Sequence, residues 1–183
     1  MIIFNRRSTK FDKHSILTVR KISDYWAGEW GTLRYANNAA FLALVLAKSG
    51  PNNLEYATQY VKWARKQIWY TLGDNPDQRS YLIGYGNNYP KFINHKVAVC
   101  PLEYDMSCGC PGLYHPEKNR RDIPGAIVGG PNFNDRYVDQ RNNFIFNEVR
   151  LDYQASFSGS VSALAELTQN NLRSDIIVET VWK

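Results

Sequence analysis

The chain has 183 residues, enough for one globular domain with its own core, and a formal net charge of +5. Its hydrophobic content of 44% is ordinary for a globular protein and argues against a disordered chain. No apolar run approaches the roughly 20 residues that a membrane span needs, so no span is predicted. The positive charge is scattered. Its closest cluster, Lys118, Arg120 and Arg121, has no interleaved aromatic residue, so a solvated basic surface is preferred to a nucleic-acid site.

The N-terminal segment, residues 1–22, is basic and shows neither a helical nor a strand period. Its apolar stretch is too short for a signal peptide, and no small-residue cleavage site follows it. We interpret these residues as an atypical leader, for which a misplaced start is one explanation.

Three amphipathic helices are predicted downstream, because apolar residues recur three or four positions apart. The first begins at Trp30, and its stripe comprises Leu33, Ala36, Ala40, Phe41, Leu44 and Ala47. The second comprises Leu54, Ala57, Val61, Ala64, Ile68 and Leu72, followed by Gly73 in the place of a C-cap glycine. The third runs from about Glu148 to Leu167, with a stripe of Tyr153, Phe157, Val161, Leu164 and Leu167. A short fourth helix is predicted in residues 174–183, with Ser174 as its cap.

Between the second and third helices, residues 73–146 show no period and are rich in Gly, Asn, Pro and Tyr. A stretch of that length without long elements inside a compact domain is usually functional. The sequence therefore predicts an all-α fold of antiparallel helices, with long Gly/Asn/Pro-rich loops on one side.

Three cysteines, Cys100, Cys108 and Cys110, lie close together in this stretch. Zinc normally needs four ligands in regular spacing, and only His95 and His115 are near, so no metal site is predicted. One disulfide and one free thiol fit better. The pairings Cys100–Cys110 and Cys100–Cys108 are both open, and either favours an oxidising compartment.

Two stretches carry groups that suit a carbohydrate ligand. Trp30 and Arg34 lie four apart at the start of the first helix, where an indole face beside a guanidinium can hold a sugar ring. On that stretch alone, a packed helix end with a surface salt bridge is the favoured interpretation. In Ser80–Lys96, two glycines, several asparagines and His95 beside Lys96 offer donors for hydroxyl groups, although Gly–Asn loops are common.

The segment Val138–Tyr153 carries the strongest chemical pattern, with Asp139, Glu148 and Asp152 among aromatic and amide residues. A glycosidic bond is broken by a protonated carboxylic acid and a second, ionised carboxylate. The apolar neighbours of Glu148 favour its protonated form, whereas the N-terminus of a helix opposes it. From these residues alone, first-turn acids that stabilise a helix start are the favoured interpretation.

Five blocks in this order resemble glycoside hydrolase family 9, the endoglucanases or cellulases with an (α/α)6 barrel. The blocks read EWGTLRYANNAAFLALV, KQIWYTLGDNP, SYLIGYGNN.P, GAIVGGPNFND.Y.D.R and NEV..DY.A.FSG..SAL, and they span roughly residues 26–168. The resemblance implies a partial (α/α)6 barrel. Residues 23–170 would form the C-terminal part of the catalytic domain, and residues 171–183 a tail.

The resemblance also implies an inverting endo-β-1,4-glucanase that cleaves internal bonds of cellulose, with a water between two separated carboxylates. Glu148 matches the family's catalytic acid. Asp139 matches the preceding acid of the same signature, which helps to set the site. The positions that line the substrate cleft are matched by Trp30, Arg34, His95 and Tyr153.

Several positions depart from the family pattern. The signature histidine and arginine fall on Asn94 and Lys96, and a lysine does not reproduce a bidentate guanidinium contact. Gln140 takes the place of an acid, Gln154 that of an asparagine, and Arg150 that of an alanine-like residue. These substitutions weaken the expectation for the substrate subsites more than that for the fold.

The water-activating aspartates of the family belong to an Asp-Ala-Gly-Asp block that does not occur in this sequence. We therefore interpret the chain as a truncated copy, a fragment or a remnant that carries half of an active site. Three hypotheses follow. The chain is an endoglucanase completed by an N-terminal half, or a non-catalytic carbohydrate-binding remnant, or a half-barrel that does not fold alone because apolar helix faces are exposed.

For cofactors and partners, the resemblance implies no metal or other cofactor in this chain, and a Ca2+ ion only in the full-length family domain. It implies a monomer that binds cellulose or a β-1,4-glucan oligosaccharide, without a nucleic-acid or membrane partner. It also implies a secreted, extracellular protein, although the sequence shows no signal peptide.

Overall fold

The computed structural model describes residues 28–49, 54–100 and 110–171, which form helices and loops without a β-strand. Three long helices make up most of this part: α1 Thr32–Ser49, α2 Leu54–Leu72 and α5 Leu151–Asn171. The connections contain three short elements: α3 Lys96–Val99, a 3₁₀ helix Cys110–Tyr114 and α4 Phe144–Asn147. The described residues confirm the predicted all-α class.

Helices α1 and α2 form the predicted antiparallel hairpin. Thr71, near the end of α2, donates a hydrogen bond of 3.1 Å to the Asn37 side chain near the start of α1, and both residues are fully buried. Gly73 follows α2 with a φ of +124°, a conformation that side chains other than glycine rarely adopt. The predicted C-terminal glycine of the second helix is therefore confirmed.

Helix α5 packs on α1 in parallel. The ion pairs Arg34–Asp152 and Lys48–Glu166 join the two helices near opposite ends, at 3.0 Å and 2.6 Å. Both pairs have the same sequence offset of 118 residues, which means that the two helices keep one register along their contact. The N-terminal ends of α1 and α5 consequently lie side by side.

The predicted apolar stripes form most of the core between these helices. Their fully or nearly fully buried members are Leu33, Ala36, Ala40, Leu44, Ala64, Ile68, Tyr153 and Phe157. Phe41 and Val161 differ from the prediction, because they are 37% and 40% exposed. Helical periodicity identifies one side of a helix, but neighbouring elements decide how much of that side is covered.

An apolar groove, called here the α2–α5 groove, lies between α2 and α5 beside the C-terminal end of α1. It is lined mainly by Ala47, Leu54, Ala57, Val61, Ile68, Val161, Leu164 and Leu167. Leu54 is 62% exposed in it, and the groove accounts for the exposure of Val161. An exposed apolar groove of this kind usually packs against another part of a protein or a partner.

The described part of residues 73–146 forms a packed loop layer, with isolated β-bridges in place of a sheet. Leu82 pairs with Ile127, and Val128 pairs with Val149, both in antiparallel orientation. Buried residues of the layer join the helix core: Tyr81, Ile83, Ile93, Ile127 and Val128. The predicted long, non-periodic connection on one side of the helices is confirmed.

The start of the third predicted helix was placed too early. Helix α5 begins at Leu151, whereas Glu148 has a ψ of +141° and caps the C-terminus of α4. The reason is a long-range pairing, since the Asn94 amide donates to the Asn147 carbonyl at 2.8 Å and Asn94 and Glu148 form a parallel bridge. That pairing holds Glu148 in extended backbone.

Cys100 is disulfide-bonded, as predicted for one pair among the three cysteines. Among the described residues, no helix has the length and apolar character of a membrane-crossing segment. The leader at residues 1–22 and the helix predicted in residues 174–183 lie outside the described residues.

Candidate active site

Glu148 lies where the loop layer meets the N-terminal ends of α1 and α5. Its backbone amide donates to the Phe144 carbonyl at 3.1 Å, and its side chain is 26% exposed. The Trp30 indole Nε1 donates a hydrogen bond of 2.9 Å to Glu148 Oε2. The carboxyl group is therefore oriented by a donor from the opposite segment and still reaches solvent.

An exposed aromatic surface adjoins this carboxyl group. The Trp30 and Phe144 rings have centroids 4.9 Å apart and planes inclined by 48°, and the two residues are 46% and 45% exposed. Sugar rings pack on such faces through their C–H groups, as apolar groups do on aromatic rings. We call the pair the Trp30–Phe144 shelf.

Phe144 was missing from the residues predicted from sequence. It stands four positions before Glu148, in the first position of α4, and this places its ring on the same side as the carboxyl group. An aromatic residue at that spacing from a candidate acid was the available signal. Its contact with Trp30 depends on the fold and is not visible in the sequence.

Arg34 and Asp152 form an ion pair of 3.0 Å beside Glu148, as the surface salt-bridge interpretation predicted. The Arg34 guanidinium also donates to the Tyr35 hydroxyl at 2.7 Å. Arg150 Nε lies 3.2 Å from Asp152 Oδ1, and Arg150 Nη1 lies 3.8 Å from Glu148 Oε2. Two carboxylates and two guanidiniums thus alternate along the edge of the site.

The pKa of Asp152 reflects these contacts. Partial burial acts to raise it, but hydrogen bonds from Arg34, from its own backbone amide and from Arg150 outweigh burial and lower the pKa. The pKa of Arg150 is raised by its hydrogen bond to Asp152 and by the negative charge of Glu148. Both groups are therefore ionised at neutral pH, and Asp152 is engaged on both sides.

Tyr153 packs behind the exposed groups of the site, and its contact with a substrate remains a prediction. The residue is fully buried, and its hydroxyl lies where a side chain on Gly31 would have to pass. Burial, followed by the negative charge of Glu148, raises the pKa of Tyr153 to about 12. The Arg34 guanidinium lies over the Tyr153 ring, 5.7 Å from its centroid, so the buried ring packs against the ion pair of the site.

His95 follows the Asn94–Glu148 bridge directly and caps the start of α3. The pairing of Asn94 with Asn147 and Glu148 holds this segment in place. Its ring is partly buried, and the buried Nδ1 atom has no hydrogen-bond partner in this structure. The backbone of His95 therefore lies near that of the candidate acid, and the role of its side chain towards a substrate remains a prediction.

The Asp139 side chain binds backbone amides of the loop layer. Its two carboxylate oxygens accept hydrogen bonds from the backbone amides of Lys91 and Phe92, at 2.7 Å and 3.0 Å. These bonds hold the segment that leads to His95. Hydrogen bonds between charged carboxylates and backbone amides are among the stronger ones in proteins, so Asp139 fixes the shape of this segment.

No group of three or more His, Cys, Asp or Glu suited to a metal ion occurs among the described residues. The Ca2+ ion implied for a full-length family domain remains a prediction.

A model of glycosyl hydrolase family 9 matches residues 5–161. Endoglucanase A of Bacillus pumilus is 41% identical over 142 residues, which is 78% of this chain and 20% of that protein. Endoglucanase 2 of Arabidopsis thaliana is 37% identical over 151 residues, covering 76% of this chain and 29% of that protein. The chain thus spans less than a third of the length of these relatives.

Solved structures of endoglucanases also resemble this chain. An endoglucanase from the termite Nasutitermes takasagoensis matches 78% of this chain and 31% of its own, with 39% identity and a TM-score of 0.70. Endoglucanase CelQ from Clostridium thermocellum complexed with cellotriose matches 78% of this chain and 22% of its own, with 41% identity and a TM-score of 0.65. These endoglucanases have the (α/α)6 barrel fold, which confirms the predicted fold class.

Proposed function

The chain belongs to glycosyl hydrolase family 9, and on that premise we propose that it carries the general-acid half of an endo-β-1,4-glucanase active site. Glu148 is the general acid in this proposal. Trp30, Phe144, Arg34 and His95 bind the glucan chain around it, and Asp139 holds the loop that carries His95.

One observation carries the proposal. The Glu148 carboxyl group reaches solvent at the edge of the Trp30–Phe144 shelf, and the Trp30 indole N–H points at its Oε2 atom. A glucose ring stacked on the shelf would bring the adjacent glycosidic oxygen close to this carboxyl group. A proton donor next to an aromatic sugar-binding surface is the arrangement that leaving-group protonation needs.

The chemistry proposed for the complete site is hydrolysis with inversion. The protonated Glu148 carboxyl donates its proton to the departing glycosidic oxygen. A second carboxylate, roughly 6.5–9.5 Å away, removes a proton from the attacking water on the other face of the sugar. The carbon–oxygen bond to the leaving sugar breaks as the bond to the water oxygen forms.

The second carboxylate is not supplied by the two other acids of this segment. Asp152 is held between Arg34 and Arg150, and both oxygens of Asp139 accept backbone hydrogen bonds. The Asp-Ala-Gly-Asp block expected for the base does not occur in these residues. The proposal therefore assigns to this chain the acid and part of the sugar-binding surface.

A second candidate function is a carbohydrate-binding remnant without turnover. The position of Arg150 favours it, because its guanidinium lies 3.8 Å from Glu148 Oε2, where the family pattern has an alanine-like residue, and so occupies space beside the carboxyl group. The aromatic shelf would survive in such a protein. Glucan binding would then be its only activity.

The test measures hydrolysis and binding on the same folded preparation. Carboxymethyl-cellulose is the substrate for reducing-sugar release, and cellotriose is the ligand for calorimetry. Glu148→Gln keeps the size of the side chain and removes the transferable proton, so an endoglucanase should lose about 10²–10⁴-fold in rate. Trp30→Ala removes the indole and should weaken cellotriose binding in either case.

Formate added as an external base separates the candidates, since neither is expected to hydrolyse unaided. Hydrolysis, with or without formate, that disappears in Glu148→Gln supports the general-acid half. Cellotriose binding without hydrolysis even in the presence of formate supports the remnant. A folded chain that neither binds cellotriose nor releases sugar contradicts both. The disulfide at Cys100 supports the proposed extracellular location, since such bonds persist in oxidising compartments.

A further inference from the structure

We propose that the hydrogen-bonded pair Tyr137–Asn147 positions the Glu148 carboxyl group. Asn147 directly precedes Glu148 and is fully buried. Its Oδ1 atom accepts a hydrogen bond from the Tyr137 hydroxyl, and its Nδ2 atom donates to the carbonyls of Val138 and Asn143 at 2.8 Å and 3.2 Å. Both polar atoms of this amide are therefore engaged.

The backbone next to Asn147 is hydrogen-bonded to the two segments that carry Trp30 and His95. The carbonyls of Ile145 and Asn147 accept hydrogen bonds from the amides of Gly31 and Asn94, at 3.3 Å and 2.8 Å. Gly31 follows Trp30, and Asn94 precedes His95. A rotation of the Asn147 peptide would thus move Glu148 relative to both segments.

Tyr137 is a rigid anchor for this amide. Its ring meets Tyr81 edge to face, with centroids 5.2 Å apart, and the Arg79 guanidinium lies 5.5 Å from its centroid. Tyr81 in turn stacks on Tyr70 of α2. Burial raises the pKa of Tyr137 well above its ordinary value, so its hydroxyl keeps the proton that it donates to Asn147.

The contact between Trp30 and Glu148 depends strongly on where the Glu148 carboxyl group lies. The Trp30–Glu148 hydrogen bond is 2.9 Å long, and such bonds weaken steeply when distance or angle changes. A displacement of about 1 Å in a catalytic group can reduce a rate about 10²-fold. The pair therefore sets the direction of the carboxyl group as well as the stability of the loop layer.

The NMR resonance of the Trp30 indole N–H reports the position of the Glu148 carboxyl group. A change in fold stability alone would not shift it. The chain is labelled with ¹⁵N at its tryptophan indoles, and the Trp30 N–H resonance is identified as the one missing in Trp30→Phe. Glu148→Ala shows how this resonance shifts, and how its solvent exchange accelerates, when the acceptor is removed. Neither measurement needs a substrate.

Tyr137→Phe is the test variant, because it removes one hydroxyl and keeps the ring packed. Tyr89→Phe is the matched control, since the Tyr89 hydroxyl donates a hydrogen bond of 2.8 Å to Asp122 elsewhere in the loop layer. We expect Tyr137→Phe to move the Trp30 resonance towards its position in Glu148→Ala, with several-fold faster exchange. Tyr89→Phe should leave both unchanged.

Asn147→Ala is a second, stronger variant with the same expected direction. A shift in either folded variant supports the positioning role. A lower unfolding temperature with an unchanged Trp30 resonance in both variants overturns it, because the pair would then contribute stability alone. The catalytic meaning of the role rests on the proposed function, but this readout fails or succeeds independently of hydrolysis and of cellotriose binding.

Discussion

The two ends of the α1–α5 contact each carry one ion pair in the same register, but the pairs differ in exposure and in their surroundings. At the N-terminal end, Arg34 and Asp152 form an ion pair that is partly covered, with side chains 27% and 45% exposed. At the C-terminal end, Lys48 and Glu166 pair at the same offset, but are 66% and 51% exposed. The first pair adjoins the candidate acid, and the second adjoins the α2–α5 groove.

The difference shows which part of the chain creates the site. Helix packing gives both ends the same register and places one ion pair at each. At the N-terminal end, the described part of the loop layer packs against the helices and brings Asn94, Phe144 and Glu148 there. Functional groups often lie on loops that a rigid helical scaffold holds in place, and this molecule follows that rule.

Gly31→Ala should have the largest effect among substitutions that test this comparison. Gly31 has a φ of +64°, and an added Cβ atom would lie 2.5 Å from Cζ of the fully buried Tyr153. The backbone conformation costs about 1–2 kcal/mol for an alanine. Overpacking against a buried ring costs about 1–3 kcal/mol more. Urea unfolding should therefore show a loss of about 2–5 kcal/mol.

Gly86→Ala is the matched control for this substitution. Gly86 has a similar φ of +68°, but nothing lies within 4 Å of its added Cβ atom. Gly86→Ala should lower the free energy of unfolding only by the cost of the backbone conformation, about 1–2 kcal/mol. Equal losses in the two variants would mean that Tyr153 can move aside, and that the N-terminal end is less tightly packed than the structure shows.

Local sequence patterns were sufficient to predict the helices and the loop layer. The stripes on α1 and α2, and the glycine that ends α2, follow from interactions between residues close in the chain. Glu148 was wrongly placed on a helix, because the pairing with Asn94 that holds it in extended backbone spans more than fifty residues. The burial of Tyr153 depends in the same way on the approach of Gly31.

The site itself was predicted largely from family resemblance. The residue types at Trp30, Arg34 and Glu148 suit a sugar-cleaving site, but from these residues alone a stable helix start was the favoured interpretation. The structure brings these three side chains together, and it adds Phe144, which spacing alone did not single out. Contacts between distant segments are the physical information that periodicity and composition lack.

Asp152→Asn should have a moderate and pH-dependent effect. The pKa of Asp152 is lowered in the folded chain, so its ionised form stabilises the fold above the unfolded pKa, which is about 3.9. That contribution is lost as the pH falls through the folded value. At pH 7 the partly exposed ion pair and the helix N-terminus together should be worth about 0.5–1 kcal/mol. Urea unfolding at pH 7 and at progressively lower pH measures the difference from wild type.

Glu166→Gln provides the comparison at the other end of the same helix pair. It removes the partner of Lys48 where both side chains are more than half exposed, so its cost at pH 7 should stay below about 0.5 kcal/mol. A difference between wild type and Asp152→Asn that persists unchanged at low pH would contradict the ion-pair explanation. A Glu166→Gln loss as large as that of Asp152→Asn would remove the contrast between the two ends.

Gly159→Ala should have the smallest effect, although it also adds a methyl group to the α1–α5 contact. The added Cβ atom would lie 2.8 Å from the Phe41 ring edge, but Phe41 is 37% exposed and can rotate towards solvent. Alanine also gains about 0.8–1 kcal/mol over glycine inside a helix, which offsets the cost of moving the ring. The net change in unfolding free energy should lie within about 0.5 kcal/mol of zero. If Gly159→Ala lost as much unfolding free energy as Gly31→Ala, the α1–α5 contact would be rigid along its whole length. Tight packing would then not be specific to the end that the loop layer covers.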